Sequence, residues 1–230
     1  MSSAASRRSR GHRLERIAAV IFDMDGVLVD GEPLHFAAVN QLLATEGRAI
    51  TLDEYKPYMG TKAGWTEMVR DFGLARTRDY YSPIYHQLIL EQYRDRAEAL
   101  PGATSLVLGL QRRRVPIALA SSSVRPWVDA CLARIGLANV FDELVTGSDV
   151  ANGKPDPEIY LLAAKRLKLP PSACLAIEDA PAGIASARAA GMRCWAVRTE
   201  YTRGLDLGEP DREFESLSDI ALDDILEVAA

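Results

Sequence analysis

The stretch Ile17–Gly26, with the sequence IAAVIFDMDG, decides the fold. Its first part, IAAVIF, is an uninterrupted apolar run rich in β-branched residues, which is typical of a strand buried on both faces. Asp23 and Asp25 follow this run directly. Later runs of the same kind, the last one weaker, are Val115–Ala120, Cys174–Ile177, Met192–Val197 and Leu144–Thr146.

Helix-like segments alternate with these later runs: Thr104–Arg113, Val124–Ile135, Pro157–Leu167 and Ala182–Ala190. Gly136 and Gly191 follow two of these segments as typical helix stops, and Pro157 stands at a first-turn position. Alternation of strands and helices predicts a parallel sheet with helices on both faces. The predicted fold class is therefore α/β, with a Rossmann-like parallel sheet as its core.

A long gap separates the first predicted strand from the second. Between residues 31 and 99 we find only helical patterns, over Pro33–Glu46, Leu52–Tyr58, Trp65–Phe72 and Pro83–Ala97. An insertion of this length predicts a second, small helical domain, joined through hinges near Asp30–Glu32 and Ala99–Gly102. The predicted division is a disordered basic tail over 1–13, a core domain over 14–30 and 100–230, and the helical insertion over 31–99.

Composition excludes several classes of protein. Of the 230 residues, 48% are hydrophobic, which is too many for a disordered chain, and the net charge is −5. This mild acidity argues against a nucleic-acid binder, whose affinity depends on Lys and Arg. No apolar run approaches the roughly 18 residues of a membrane span, so we expect no membrane association.

Three widely spaced cysteines, Cys131, Cys174 and Cys194, indicate reduced, buried thiols in a cytosolic protein. We expect a cytoplasmic monomer. The Arg- and Ser-rich stretch over residues 1–16 leaves organellar import open as an alternative.

Polar side chains cluster where the predicted strands end: Asp23, Asp25, Ser121, Ser122, Ser123, Glu178 and Asp179, with Lys154 and Asp156 ahead of the helix at Pro157. In an open α/β sheet, ligands bind beyond the carboxyl ends of the strands, so we expect these groups at one rim. Four carboxylates at one sheet edge would repel each other unless a cation holds them. Oxygen ligands favour a hard ion such as Mg²⁺.

Structural interpretations remain open for single residues in this group. Asp25–Gly26 is also a hairpin-turn signal. Ser123, Asp156 and Asp179 could each cap the helix that follows them.

The segments DMDGVLVD (23–30), ASSS (120–123), KPDPEIY (154–160) and IEDAPAG (177–183) occur in this order. They resemble the motifs of the haloacid dehalogenase superfamily of phosphohydrolases and phosphomutases, over residues from about 17 to 200. The helical insertion resembles the α-helical cap of that family.

The resemblance implies roles for the matching residues. Asp23 would be the nucleophile that forms an aspartyl-phosphate, and Asp25 the general acid and then the general base. Ser121, with Ser122 beside it, would hydrogen-bond a phosphoryl oxygen, and Lys154 would pair with the phosphate and with Asp23.

The metal site comes from the same resemblance. Mg²⁺ would be held by the Asp23 carboxylate, the Asp25 main-chain carbonyl and Asp179, with Glu178 bound directly or through water. Relatives that expel halide or cleave phosphonates lack an acid at the position of Asp25. The acid therefore indicates a small phosphomonoester substrate with an alcohol leaving group, which we expect to be a sugar or polyol phosphate.

Candidate substrate residues lie on the cap and after the serine motif: His35, Lys62, Trp65 and Arg125. His35, within VDGEPLH, is similar to a residue of the β-phosphoglucomutase-like branch. Mutases of that branch hold a second phosphate with a cap arginine, whose place here is taken by Ala63, and with a lysine that is Val124 or Arg125 here. We therefore predict a phosphatase, with a sugar-phosphate mutase and a catalytically silent phospho-ligand sensor as alternatives. Packing in the cap is the alternative for Trp65, and a buried helix position is the alternative for His35.

Overall fold

The computed structural model describes residues 16–58 and 64–229. Its strands are β1 (Ala19–Phe22), β2 (Ile117–Ser121), β3 (Glu143–Thr146), β4 (Cys174–Glu178), β5 (Arg193–Val197) and β6 (Arg212–Phe214). They form one parallel sheet in the order β3–β2–β1–β4–β5–β6. The predicted basic tail over 1–13 lies outside the described residues.

The helices of the described residues are α1 (Glu32–Ala44), α2 (Leu52–Tyr55), α3 (Gly64–Asp71), α4 (Arg78–Arg96), α5 (Ala103–Arg112), α6 (Arg125–Arg134), α7 (Glu158–Leu167), α8 (Pro181–Ala189) and α9 (Leu222–Ala229). Short 3₁₀ turns lie at Lys56–Tyr58, Pro171–Ala173 and Leu217–Asp219. Within this described part, no helix has the length and apolar character that a membrane span requires.

The central strand β1 is buried on both faces, as its apolar sequence predicts. Val20 and Phe22 pack into one apolar cluster, and Ala19 and Ile21 pack into a second cluster on the opposite face. All four side chains are fully buried. The parallel sheet with two buried faces confirms the predicted α/β, Rossmann-like fold.

Helices α1–α4 occupy the predicted insertion. Its two ends lie side by side, since Val29 bridges to Ala99 in antiparallel fashion and the Leu100 amide donates to the Leu28 carbonyl at 2.8 Å. Apolar residues of α1 and α4, such as Leu42 and Tyr93, belong to the same apolar cluster as one face of the sheet. The division into a core and a cap over 31–99 remains a prediction.

Helix α4 differs from its predicted extent. It begins at Arg78 rather than at Pro83, with Thr77 in extended conformation ahead of it, and Pro83 lies inside the helix. Proline lacks the amide hydrogen for a helical bond, so the sequence alone favours a helix start at Pro83. Tyr81 lies in the additional turn, where it is fully buried and its hydroxyl hydrogen-bonds Glu46 and the Arg76 amide, and these contacts stabilise the turn.

Candidate active site

The carboxyl ends of the central strands bring most of the predicted site residues together. Asp23 follows β1 directly, and its amide donates to the carbonyl of Ile177 in β4 at 3.0 Å. Ser121 ends β2 and Glu178 ends β4. Because β1 lies between β2 and β4, these groups share one rim of the sheet.

Lys154 reaches into this rim and uses all three of its ammonium hydrogens. Its Nζ donates to Asp23 Oδ1 at 2.5 Å, to Glu178 Oε1 at 2.6 Å and to the carbonyl of Ala120 at 3.0 Å. The side chain is only 7% exposed. Burial opposes its charge, but Asp23 and Glu178 outweigh burial and raise the pKa of Lys154, which is therefore a cation.

Negative charge exceeds positive charge at this rim. Burial, together with the charges of Glu178 and Asp25, raises the pKa of Asp23 to about 7 although Lys154 lowers it. Burial and the same kind of repulsion, from Glu178 and Asp23, raise the pKa of Asp179 well above its usual range. Asp23, Glu178 and Asp179 each offer an oxygen, all within 4.8 Å of one another. This donor set fits a hard cation, which would relieve the repulsion.

The two neighbouring carboxylates of the segment IEDAPAG, Glu178 and Asp179, are in different environments. Glu178 Oε1 accepts from Lys154 and, at 2.6 Å, from Tyr160, while Oε2 accepts from the amide of Asp179 at 3.2 Å. Neither carboxylate oxygen of Asp179 has a hydrogen-bond partner among the described residues. Asp179 is thus available to a cation, whereas both oxygens of Glu178 already have donors from the protein.

Gly26 brings the main chain close to Asp179. Its φ is +85°, and a Cβ at this position would lie 2.0 Å from Asp179 Oδ2. Only glycine tolerates both this backbone conformation and this approach. The main chain that follows Asp25 therefore runs directly beside the Asp179 carboxylate.

The carboxylate of Asp25 is held by two hydroxyl groups. Tyr93 of α4 donates to Oδ1 at 2.6 Å, and Ser123 donates to Oδ2 at 3.0 Å. The absence of a side chain at Gly31 makes space for the Asp25 carboxylate, because a Cβ at Gly31 would lie 2.1 Å from Asp25 Oδ1. Asp25 is thus fixed both from the end of β2 and from the inserted helices.

The three residues that could cap the helices after them, Ser123, Asp156 and Asp179, differ in their contacts. Val124, not Ser123, is the N-cap of α6, and no side chain caps that helix or α8, so Ser123 and Asp179 are not helix caps. Asp156 accepts the amide of Glu158, the first residue of α7, at 3.0 Å, but the N-cap of that helix is Pro157, so Asp156 makes this bond from the position before the cap.

The two serines predicted to bind phosphate differ in exposure. Ser121 is buried, and its Oγ accepts the amide of Ser123 at 3.1 Å. Its hydroxyl hydrogen has no acceptor among the described residues, so it is available to a ligand oxygen. Ser122 is exposed.

The candidate substrate residues are more scattered. His35 lies in an aromatic cluster, where it hydrogen-bonds Tyr85 and Tyr93. Arg125 is half-exposed on α6 and pairs with Asp129 at 2.8 Å. Lys62 lies outside the described residues. Trp65 falls in the first turn of α3, and its side chain is outside the described part.

Three residues that contact or surround this site were missed by the sequence reasoning. Tyr160 hydrogen-bonds Glu178 and is the last residue of the segment KPDPEIY, which was the signal that could have found it. Tyr93 hydrogen-bonds Asp25, and nothing in the pattern distinguishes it from the other tyrosines. Glu32, at the start of α1, has a buried Oε2 without a hydrogen-bond partner in the described chain. Burial, and then the charges of Asp25 and Asp30, raise the pKa of Glu32 to about 7.

Known proteins resemble this chain over most of its length. A family described as haloacid dehalogenase-like hydrolase matches residues 17–191. The phosphorylated carbohydrates phosphatase of Thermotoga maritima is 33% identical over 176 residues, which cover 76% of this chain and 82% of that protein. Protein SUPPRESSOR OF QUENCHING 1, chloroplastic, of Arabidopsis thaliana is 35% identical over 92% of this chain, but the match spans only 21% of the plant protein.

Solved structures agree with these relatives. A mutant of CbbY from Rhodobacter sphaeroides, in complex with xylulose-(1,5)bisphosphate, has a TM-score of 0.80 at 26% identity. The match covers 89% of this chain and 96% of that one. With the family match over residues 17–191, the fold and the motif order, the chain belongs to the haloacid dehalogenase-like hydrolases.

Proposed function

We propose that this protein is a Mg²⁺-dependent phosphatase that hydrolyses sugar or polyol phosphates through an aspartyl-phosphate on Asp23. The observation that carries the proposal is the pair of differently held carboxylates at one buried rim. Asp23 contacts Lys154, and Asp25 is held by Tyr93 and Ser123. Such a pair supplies a nucleophile and a separate proton donor, as displacement of an alcohol from phosphorus requires.

The residues divide the reaction between them. An oxygen of Asp23 attacks phosphorus, and Asp25 gives a proton to the alcohol as its bond to phosphorus breaks. Asp25 then takes a proton from the water that attacks phosphorus and displaces the Asp23 carboxylate, which releases inorganic phosphate. Ser121 donates to a phosphoryl oxygen, and Lys154 offsets the charge of Asp23 as an anionic substrate approaches.

The acidic residues of the rim are suited to hold Mg²⁺. Asp23 and Asp179 would bind it with the main-chain carbonyl of Asp25. Glu178, whose oxygens already accept hydrogen bonds from the protein, would contribute negative charge without binding the ion directly. When bound, the ion supplies positive charge that lets an anionic nucleophile approach an anionic phosphate.

Metal binding can be measured without turnover. We expect Mg²⁺ alone to raise the melting temperature, by the equivalent of about 2.7 kcal/mol at a concentration 100 times its Kd. Asp179→Asn should abolish most of this shift, because Asp179 is the carboxylate left without a protein partner. Asp53→Asn, a change at a side chain that is 86% exposed and pairs with Lys56, serves as the matched control. An equal Mg²⁺ shift in Asp179→Asn would contradict the site.

The proton donor can be tested through the leaving group. We expect Asp25→Asn to slow hydrolysis of benzyl phosphate by about 10²-fold or more, because its alcohol needs a proton to leave. Formation of the phosphoenzyme from p-nitrophenyl phosphate should slow much less, since nitrophenolate leaves without one. Steady-state kcat/KM on both probes measures the difference, because it reports the steps up to release of the alcohol and leaves out the later attack of water, in which Asp25 acts as the base. Equal losses on the two probes would exclude Asp25 as the acid.

Support for a polyhydroxylated substrate comes from Glu32 and from the relatives. The buried Oε2 of Glu32 has no hydrogen-bond partner in the described chain, although a buried polar atom without a hydrogen bond is costly. A substrate hydroxyl would supply the missing donor. One relative is named for phosphorylated carbohydrates, and another is solved with a sugar bisphosphate.

Phosphorus NMR tests the reaction itself. The protein is incubated with Mg²⁺, a panel of sugar phosphates and β-glucose 1-phosphate, with a trace of glucose bisphosphate as primer. The proposal expects inorganic phosphate as the product. Conversion to glucose 6-phosphate with little free phosphate would establish the mutase instead, and binding without any turnover would establish the silent sensor.

A further inference from the structure

Helix α4 supplies the site with a hydroxyl that no sequence motif predicts. Tyr93 is fully buried, and its hydroxyl donates to Asp25 Oδ1 at 2.6 Å. Ser123 occupies the other oxygen. The carboxylate is therefore oriented by one donor from the sheet and one from the inserted helices.

The hydrogen bonds behind Tyr93 all run toward Asp25. Tyr93 has one hydroxyl hydrogen, which Asp25 receives, so its oxygen accepts from His35 Nε2 at 3.1 Å. A neutral imidazole carries one N–H, and Nδ1 of His35 therefore accepts from the hydroxyl of Tyr85. Burial, partly opposed by the charge of Asp25, lowers the pKa of His35 and favours this neutral ring.

Ring packing holds this relay of Tyr85, His35 and Tyr93 in place. The ring of Trp127 in α6 lies 5.9 Å from those of His35 and Tyr85, measured between centroids, and 6.4 Å from that of Tyr93. Trp127 Nε1 also donates to the carbonyl of His86 at 3.1 Å, which ties α6 to α4. The hydroxyl of Tyr93 consequently has little freedom to move away from Asp25.

We propose that Tyr93 is a positioning residue, which aims the carboxyl of Asp25 at the leaving oxygen, and that His35 acts on the reaction only through Tyr93. The inference rests on the proposed function, because it assumes that Asp25 is the proton donor. Without the hydroxyl, Ser123 alone would hold Asp25, and its carboxyl could turn about the side-chain torsions. Proton transfer to a poor leaving group would then slow, while attack on phosphorus would not.

Tyr93→Phe removes the hydroxyl and keeps the ring. We expect its kcat/KM on benzyl phosphate to fall about tenfold, and its kcat/KM on p-nitrophenyl phosphate to stay within about twofold. His35→Asn should give a smaller loss of the same kind, with no further loss in the Tyr93→Phe background. Separate, additive losses would contradict action of His35 through Tyr93.

Tyr81→Phe is the matched control. Tyr81 lies on the same helix, is equally buried, and hydrogen-bonds Glu46 at 2.8 Å and the Arg76 amide at 3.0 Å, away from Asp25. We expect it to lower the melting temperature without changing the ratio of the two kcat/KM values. If Tyr93→Phe changes only stability, as Tyr81→Phe does, the inference is wrong. If Asp25→Asn itself leaves the ratio unchanged, the proposed function fails instead.

Discussion

Replacement of Asp23 by asparagine should lower turnover by at least about three orders of magnitude while the protein remains folded. The amide has the shape of the carboxylate but cannot attack phosphorus. The fold does not depend on the charge, because burial raises the pKa of Asp23 to about 7 and so opposes its ionisation. Lys154 keeps its bonds to Glu178 and Ala120 in the variant. Phosphate release and the circular dichroism melting curve measure the two effects.

The matched control for this prediction is Asp53→Asn. The side chain of Asp53 is 86% exposed and, among the described residues, forms an ion pair only with the exposed Lys56, so we expect turnover and melting temperature to stay unchanged. Mass spectrometry must show that the introduced asparagine has not reverted to aspartate by deamidation. An intact Asp23→Asn protein with more than a tenth of the wild-type rate would exclude Asp23 as the nucleophile.

The sheet and the grouping of polar side chains at its rim were predictable because both depend on local sequence. A run such as IAAVIF can be buried on both faces only inside a sheet covered on both sides. In a parallel sheet, all residues that follow the strands lie at the same edge, so Asp23, Ser121 and Glu178 could be grouped without coordinates. Strand β6 was missed because Arg212 and Glu213 are exposed at the sheet edge and show no apolar pattern.

The contacts that distinguish one carboxylate from another were not predictable. Glu178 and Asp179 are adjacent in one motif, yet only the folded chain shows that Tyr160 and Lys154 occupy Glu178. Tyr93 lies 68 residues beyond Asp25, and its position depends on how α4 rotates against α6. Such rotation is decided by the packing of many side chains rather than by any spacing in the sequence.

Replacement of Lys154 by methionine should remove both stability and activity. Methionine keeps the apolar length of the side chain but leaves Asp23 and Glu178 buried beside each other without their cation. Breaking a buried ion pair in this way costs about 3–5 kcal/mol of unfolding free energy. We expect a loss of unfolding free energy at pH 8 in metal-free buffer, as measured by urea unfolding, together with loss of phosphate release.

The loss should depend on pH, and its direction follows from the raised pKa of Asp23. An acid with a higher pKa in the folded state destabilises that state as the pH rises, from its unfolded pKa up to its folded one. The folded pKa of Asp23 is about 7, mainly through burial, whereas its ordinary value is 3.8. Lys154 lowers this folded pKa. Without Lys154 the folded pKa rises further, so the added penalty is small at pH 5 and develops above pH 7, by about 1.4 kcal/mol per pH unit up to the folded pKa of the variant.

Two comparisons make this prediction decisive. Lys56→Met removes an exposed lysine that pairs with an exposed aspartate, so it should leave the unfolding free energy unchanged at both pH values. Asp23→Asn combined with Lys154→Met should recover part of the stability at pH 8, because one of the two uncompensated charges is gone, but none of the activity. A loss in Lys154→Met that is equal at pH 5 and pH 8 would mean that packing, and not the charge of the ammonium, stabilises the rim. In that case Lys154 would have no electrostatic effect on Asp23, and its proposed role in offsetting the charge of Asp23 during the reaction would be wrong.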